Sequence, residues 1–575
     1  MDERREDAPW FRFYEPGVPR TVACPDATLP EILDRTSERF PNRVALRFFL
    51  DARLPTPTLS YRQLREETLR FAAALFDMGV RKGDRVALML PNCPELVIAF
   101  YGALRLGAVV VNTNPLYVAR EMREQFEDSG ADTLVLLDQF LPRLRSIHAA
   151  TRIRRVVVVD LTASLPWPAR VLARLAQRRK GERVPLQRRA GDFLFEDLVR
   201  ARPPKPPGAD LRAHDLAVLQ YTGGTTGAPK AAMLTHGNLV ANSLQARAWF
   251  PRATDGREVF LGAIPFFHVY GLTSVLLFGI AVGAEIVIIP RPRPVDIVLE
   301  AIQRFRVTLF PGVPTLYAAI NDHPRVAEYD LRSKALCVSG AAPLPREVAE
   351  RFEALTGGRL VEGYGLTEAS PLTHCTPLFG ERRTGSIGVP FPGTDARVVD
   401  LVTGAPVAPG EDGELEVRGP QVMAGYWQRP EDTAEALHGG WLRTGDVARM
   451  DADGFFHVVD RRKDMIDASG FKVLPREVEE VLLMHPKVRE AVVAGVPDAY
   501  RGETVKAYVV LRAGETASAS EIVEFCRLHL AAFKVPRRVA FRDELPKSIV
   551  GKYLRRVLVE EEARTDAAPE AEPER

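Results

Sequence analysis

"LAVLQYTGGTTGAPKAAMLTH" (Leu216–His236) sets an apolar run against a loop of hydroxyls and glycines closed by a lysine. A short apolar run that ends in such a loop reads as a buried strand whose carboxyl end carries chemistry, the arrangement of parallel α/β sheets. Glycines let the backbone approach an anion closely, their N–H groups supply oriented donors, and a lysine neutralises charge. Thr222, Thr225, Thr226 and Lys230, interleaved with Gly223, Gly224 and Gly227, therefore read as a phosphate cradle. It is not a Walker loop. Lys230 follows Pro229 and precedes Ala231, so the lysine does not follow glycine and the metal-holding hydroxyl after it is missing.

Outward from that loop, between about residues 30 and 400, β-branched runs alternate with amphipathic stretches, as in "RVALML" followed by "PELVIAFYGALRLG". That alternation predicts parallel α/β architecture. From Ala396 to Gly419 the chain turns strand-rich and turn-punctuated, as in a small antiparallel sheet or barrel. After Ile466 a compact unit follows: "PREVEEVLLMHPKV" and "SEIVEFCRLHL" as helices, "REAVVAGVP" and "VKAYVVL" as strands. The boundary is expected near Asp460, giving a large unit over 1–460, a small one over 461–560, and a polar, disordered tail over 561–575.

The 77 basic and 75 acidic side chains nearly cancel, to a formal charge of +2, which leaves no electrostatic footprint for nucleic acid. Five cysteines lie far apart without metal-ligand spacing, as suits a reducing compartment, and the charged N-terminus lacks a signal-peptide core. A cytoplasmic protein is expected. Val259–Ala284 carries no charged residue and is long enough to cross a bilayer, but Pro265, His268 and four glycines interrupt it, so a buried helix between two strands is expected. Trp167–Lys180, "WPARVLARLAQRRK", as a helix puts Arg170, Arg174 and Arg178 along one side and Val171, Leu172 and Leu175 on another, a pattern suited to a membrane surface.

Three further stretches stand in order behind the phosphate loop: "GYGLTEAS" (Gly363–Ser370), "RTGDVARMDADGFFHVVDRRKD" (Arg443–Asp464) and "LPKSIVGKYLRR" (Leu545–Arg556). Together with the loop they resemble the acyl-adenylate-forming superfamily, over nearly the whole chain from Leu29 to about Leu558. "PWFRFYEPGVP" and "LPNCPELVIAFYGALRLGAVVVNTNPLYVAREM" resemble its bacterial long-chain fatty-acyl-CoA synthetase branch. The resemblance implies a layered α/β domain with a small β-barrel part and a mobile C-terminal domain hinged at Lys463. It also implies ATP, coenzyme A and Mg²⁺ as co-substrates and metal. Its implied roles are specific. Tyr364, between Gly363 and Gly365, stacks on adenine, Thr367 bonds the α-phosphate and Glu368 holds Mg²⁺. Gly340, Ala341 and Ala342 line adenine and the acyl carbonyl, and Ala341 stands where the family often has glycine. Asp446 binds the ribose with Arg461 beside it, and Lys552 carries adenylation. His268, Val269, Tyr270, Gly271 and Gly340 border the acyl pocket, and Gly470, Phe471 and Lys472 border the coenzyme A path. Asp467 departs from the bacterial pattern, where an apolar residue is expected.

The implied activity is ATP-dependent activation of a long-chain fatty acid through acyl-AMP, then transfer to coenzyme A. The alternatives are the same chemistry on a medium-chain or aryl acid, acyl transfer to a carrier protein, and a non-catalytic nucleotide or lipid binder. The same reading admits a homodimer and a peripheral contact with the inner face of a membrane.

Overall fold

The computed structural model describes residues 8–165, 167–168, 170–171, 174–175, 191–206, 208–222, 229–333, 335–468, 471–498, 502–548 and 551–566. The chain divides into two compact units. The first comprises Met1–Gly223, Pro229–Asp395 and Arg418–Leu442; the second comprises Gly224–Ala228, Ala396–Val417 and Arg443–Arg575. Asp460, where a boundary is expected, lies within a strand, 456–461, that pairs with 441–450.

The first unit is built on two sheets. One has seven strands, in the order 192–194, 155–159, 133–137, 85–89, 109–112, 216–222 and 230–235, all parallel except for the last pair. The other has nine, and its central strands, 44–48, 285–288, 259–262, 309–312, 336–339 and 359–365, are parallel. Parallel strands covered on both faces read as continuous apolar runs, and "TLVLL" and "RVALM" are buried along almost their whole length. The helix Pro94–Arg105 is buried throughout its first eleven residues and packs on Tyr61–Asp77. Gly102 permits that approach: a Cβ there would lie 2.8 Å from the Phe71 ring.

The uncharged stretch from Val259 to Ala284 behaves as expected. A strand, Val259–Gly262, leads through a turn into buried helical residues 269–281, with a π-helical segment at Leu272–Leu277, and the next strand is Glu285–Ile288. Among the described residues, no helix is long and apolar enough to cross a membrane.

The second unit holds most of a sheet of 395–399, 412–418, 441–450 and 456–461, which is the strand-rich part expected as a sheet or barrel. It also holds a sheet ordered 471–473, 466–468, 502–511 and 488–498, with 538–541 parallel to 502–511. Both faces of this second sheet are covered. Ala491 and Val493 pack with Val478, Leu482 and Ile522, while Val492 and Ala494 pack with Tyr508 and Leu558. The helix carrying Leu558, Arg555–Asp566, continues into the segment expected as a disordered tail.

Candidate active site

Parallel sheets bind ligands beyond the carboxyl ends of their strands. In the nine-stranded sheet those ends deliver several of the expected residues. Strand 259–262 leads to His268, 336–339 to Gly340–Ala342, and 359–365 carries Tyr364 and leads to Thr367 and Glu368. In the seven-stranded sheet, 216–222 ends at Thr222, and Lys230 opens the antiparallel return strand. Gly223, Gly224, Thr225, Thr226 and Gly227 lie outside the described residues.

Buried amides tie these ends together. The Asn92 amide donates to the carbonyls of Gly262 (3.1 Å) and Ile264 (2.8 Å) and its oxygen accepts from the Phe266 N–H (2.7 Å). Asn112 Nδ2 donates to Gln220 Oε1 (2.8 Å), and Gln220 Nε2 donates to the Phe267 carbonyl (3.0 Å). A buried amide left unpaired would cost about 1–3 kcal/mol, so these bonds fix the backbone just ahead of His268. Their signal in the sequence was a glutamine inside the apolar "LAVLQY" and an asparagine in "LPNCPE".

His268 is half-buried, and its Nδ1 accepts from the Tyr270 N–H at 3.3 Å, capping the helical turn that starts at Val269. Tyr270 is a structural clasp: its hydroxyl donates to the carbonyls of Val338 (2.9 Å) and Gly312 (3.1 Å), and burial pushes its pKa up. Gly340 packs closely there, since a Cβ would lie 3.0 Å from the Tyr270 ring, and Gly271 is required, since a Cβ would lie 2.2 Å from the Pro265 carbonyl oxygen. Behind the strand ends lies an apolar cavity with about 420 Å³ of empty space, part of it open to solvent. Tyr270, Ser274, Pro311, Val338, Gly363 and His374 are among its lining residues, whereas His268, Val269, Gly271 and Gly340 are not. The expected acyl-pocket set thus meets the cavity through Tyr270.

Ala341 has φ 70°, the left-handed conformation that glycine adopts without strain. Gly365 sits where a Cβ would lie 2.0 Å from the Pro371 carbonyl oxygen, which explains the tight turn after Tyr364. Tyr364 is half-buried, edge-on to His374 at 5.8 Å, and burial drives the His374 pKa down to about 3. Glu368 Oε1 accepts from the Tyr426 hydroxyl at 2.8 Å, and the Glu368 carbonyl accepts from the Met423 N–H at 2.8 Å. Lys230 pairs with Asp432 at 2.5 Å. Neither Tyr426 nor Asp432 stood out in the sequence.

Among the described residues no group of three or more His, Cys, Asp or Glu side chains could hold a metal. Mg²⁺ needs no such cage: it keeps its waters and binds through one or two carboxylates plus substrate phosphates. The hard oxygens of Glu368 and Thr367 fit that habit.

In the second unit, Asp446 and Arg461 face each other across paired strands, 3.3 Å apart, and Asp446 is 5% exposed. Lys463 lies in the 3-10 turn Arg462–Asp464; its side chain is outside the described residues, as are Gly470 and the side chains of Phe471 and Lys472. Lys552 is half-buried. Its N–H donates to Ser548 Oγ (3.1 Å) and its carbonyl accepts from the Ser548 N–H (2.8 Å), closing a turn bridged at Lys547 and Tyr553. Three residues on, Arg555 pairs with Glu479 (2.7 Å) and with Asp464 (2.9 Å), joining the lysine-bearing segment to the turn that holds Lys463.

Tyr364, Thr367 and Glu368 at one strand end and Lys230 on the return strand lie in the first unit, and Asp446, Arg461 and Lys552 lie in the second. The chain belongs to the AMP-binding enzyme family, whose model matches residues 33–427; the model of the AMP-binding enzyme C-terminal domain matches 477–552. It is 45% identical over 557 residues to a long-chain-fatty-acid–CoA ligase of Bacillus subtilis (strain 168), covering 96% of this chain and 98% of that one. A long-chain-fatty-acid–CoA ligase of Yersinia pestis is 41% identical over 97% of this chain and 99% of its own. The crystal structure of the anthranilate CoA ligase AuaEII in complex with anthranoyl-AMP superposes with a TM-score of 0.81 at 30% identity, covering 95% of this chain and 99% of that chain.

Proposed function

We propose that this chain is a long-chain fatty-acid–CoA ligase. The observation that carries the reading is the set of strand ends in the first unit, where Tyr364, Thr367 and Glu368 follow one strand and Lys230 returns from another. In the first half-reaction a carboxylate oxygen of the fatty acid attacks the α-phosphorus of ATP. The bond from that phosphorus to the β-phosphate bridging oxygen breaks, and pyrophosphate leaves with its electron pair. In the second, the coenzyme A sulfur attacks the acyl carbon, the bond from that carbon to the AMP oxygen breaks, AMP leaves with the electron pair, and the thiol proton passes to solvent. Thr367 binds the α-phosphate, Lys230 the outer phosphates and Asp446 the ribose hydroxyls. Lys552 neutralises charge as it develops between carboxylate and α-phosphate, so it serves the first half-reaction. Glu368 would hold Mg²⁺, which would supply countercharge to the phosphates. Tyr270 and Val338 line an apolar pocket, which has the polarity but not, as it stands, the room for a long acyl chain.

Pyrophosphate release with Mg·ATP and acids from acetate through palmitate and oleate to coumarate, each with and without coenzyme A, tests this. Long acids with turnover dependent on coenzyme A are expected. Preference for coumarate, or release indifferent to coenzyme A, would remove the substrate or the acceptor.

A second observation supports a peripheral membrane contact. Trp167, Val171 and Leu175 are 77%, 42% and 49% exposed, spaced to share one side of a helix. Arg170 and Arg174 are not on that face. Arg170 turns onto the carbonyls of Ala163 and Leu165, and Arg174 pairs with Asp160 at 2.7 Å; Arg178 lies outside the described residues. The expected basic side is therefore partly used within the fold, and the apolar side is what a bilayer would meet. Substituting serine for Trp167, Val171 and Leu175 together should cut sedimentation with phosphatidylglycerol-containing vesicles severalfold; unchanged sedimentation would end this reading.

A further inference from the structure

The segment from Ala424 to Thr433 belongs to none of the motifs, yet it is laid against the strand that returns from the phosphate loop. The Ala424 N–H donates to the Met233 carbonyl (3.0 Å), the Met233 N–H to the Gly425 carbonyl (2.9 Å), and the Trp427 N–H to the Ala231 carbonyl (2.9 Å). Tyr426 sits between these anchors. Its own N–H donates to Thr433 Oγ1 (2.9 Å), whose hydroxyl donates to the Arg429 carbonyl (2.7 Å). Gly425, at φ 138°, makes the turn that brings Thr433 this close; a Cβ at Gly425 would lie 2.6 Å from Thr433 Cγ2. The backbone of Tyr426 is thus held from both sides before its side chain does anything.

That side chain touches two groups of the site at once. The phenol donates to Glu368 Oε1 at 2.8 Å, and the Lys230 ammonium lies 5.4 Å from the centre of the ring, within cation–π range. Lys230 is steadied on its other side by Asp432. A carboxylate bound at one oxygen has its plane fixed, which orients the second oxygen for a cation without further loss of rotamer freedom.

We propose that Tyr426 is the positioning residue that sets the orientation of Glu368 and its separation from Lys230, and thereby prepares the site for the Mg²⁺ and phosphates of ATP. This rests on the reading of Glu368 as the metal-holding carboxylate. Tyr426→Phe keeps the ring and its packing and removes only the hydroxyl. ATP binding measured by calorimetry against increasing Mg²⁺ should show the half-saturating Mg²⁺ concentration raised about tenfold to hundredfold, the scale of one hydrogen bond to a charged group. Affinity for ATP in EDTA, and KM for fatty acid and for coenzyme A, should not change. Tyr426→Leu, which also removes the ring beside Lys230, should weaken ATP binding in EDTA as well. Glu368→Gln is the control. If it leaves the Mg²⁺ dependence intact, the reading of Glu368 falls and the role of Tyr426 with it. If Glu368→Gln abolishes the dependence and Tyr426→Phe does not shift it, the inference about Tyr426 alone is overturned. Equal weakening of ATP binding by Tyr426→Phe with and without Mg²⁺ would also overturn it, since loss of structure does that.

Discussion

Glu368 and Lys552, the two charged residues on which the proposed chemistry leans most, are held in opposite ways. Glu368 follows a parallel strand of a buried sheet and is fixed by a hydrogen bond to its side chain and another to its carbonyl. Lys552 sits on a turn closed by two bonds to Ser548, and the firmest hold nearby is at Arg555, on the helix that follows. Groups that must hold a nucleotide through both half-reactions gain from strand-end rigidity, because a preorganised dipole or charge needs no rearrangement as the reaction proceeds. A group needed in one half-reaction alone is better carried on a turn that can be repositioned.

The sharpest way to break this comparison is at Lys552 itself. Lys552→Ala should lower acyl-AMP formation, followed as pyrophosphate release, by about a thousandfold, the scale of removing one transition-state charge donor. Next comes the anchor. Arg555→Ala leaves Glu479 and Asp464 without their shared cation in a buried setting, and should destabilise the protein to urea by about 3–5 kcal/mol. A loss of under about 1 kcal/mol would mean that the lysine-bearing segment is not held through Arg555.

Two smaller effects sharpen the picture of the rigid half. Burial holds His374 neutral, with its pKa near 3, and His236 with its pKa near 4; at His236 the nearby Asp215 and Lys82 act in opposite directions. An unfolded histidine titrates near 6.5, so the unfolded chain takes up protons that the native one refuses as pH falls below that value. Stability is therefore full above pH 6.5 and declines towards pH 4. Between pH 6.5 and 5 each histidine should contribute about 2 kcal/mol of that decline, and His236→Asn or His374→Gln should shrink it by as much in urea unfolding. The smallest effect is at Ala341. Ala341→Gly relieves a left-handed backbone and should raise stability by up to about 1 kcal/mol, an increase in Tm that calorimetry would resolve.

The same contrast governs what could be read from the chain. Gly363–Glu368 and Gly340–Ala342 were legible because short glycine-rich segments at strand ends carry their constraint locally. Ala341 was flagged as a place for glycine, and its φ of 70° is the reason. Asp446 and Arg461 were placed together by motif and proved to be cross-strand partners. Tyr426 was not legible, since its bond to Glu368 spans a separation of 58 positions and no local pattern announces it. The cavity beside Tyr270 was half legible: the helix after His268 was expected to line it, but Val338, Gly363 and His374 come from strands that only the sheet order brings together. The arginines at 170 and 174 show the limit of helical periodicity, which assigns a side chain to a face but not to a partner such as Asp160.

The most direct test separates the two half-reactions on one variant. Lys552→Ala would be given palmitate, Mg·ATP and coenzyme A in one assay, and preformed palmitoyl-AMP with coenzyme A in another, each beside the parent enzyme. The account predicts that thioester formation collapses in the first assay and stays within a fewfold of the parent in the second. Equal loss in both, or no loss in the first, would contradict it.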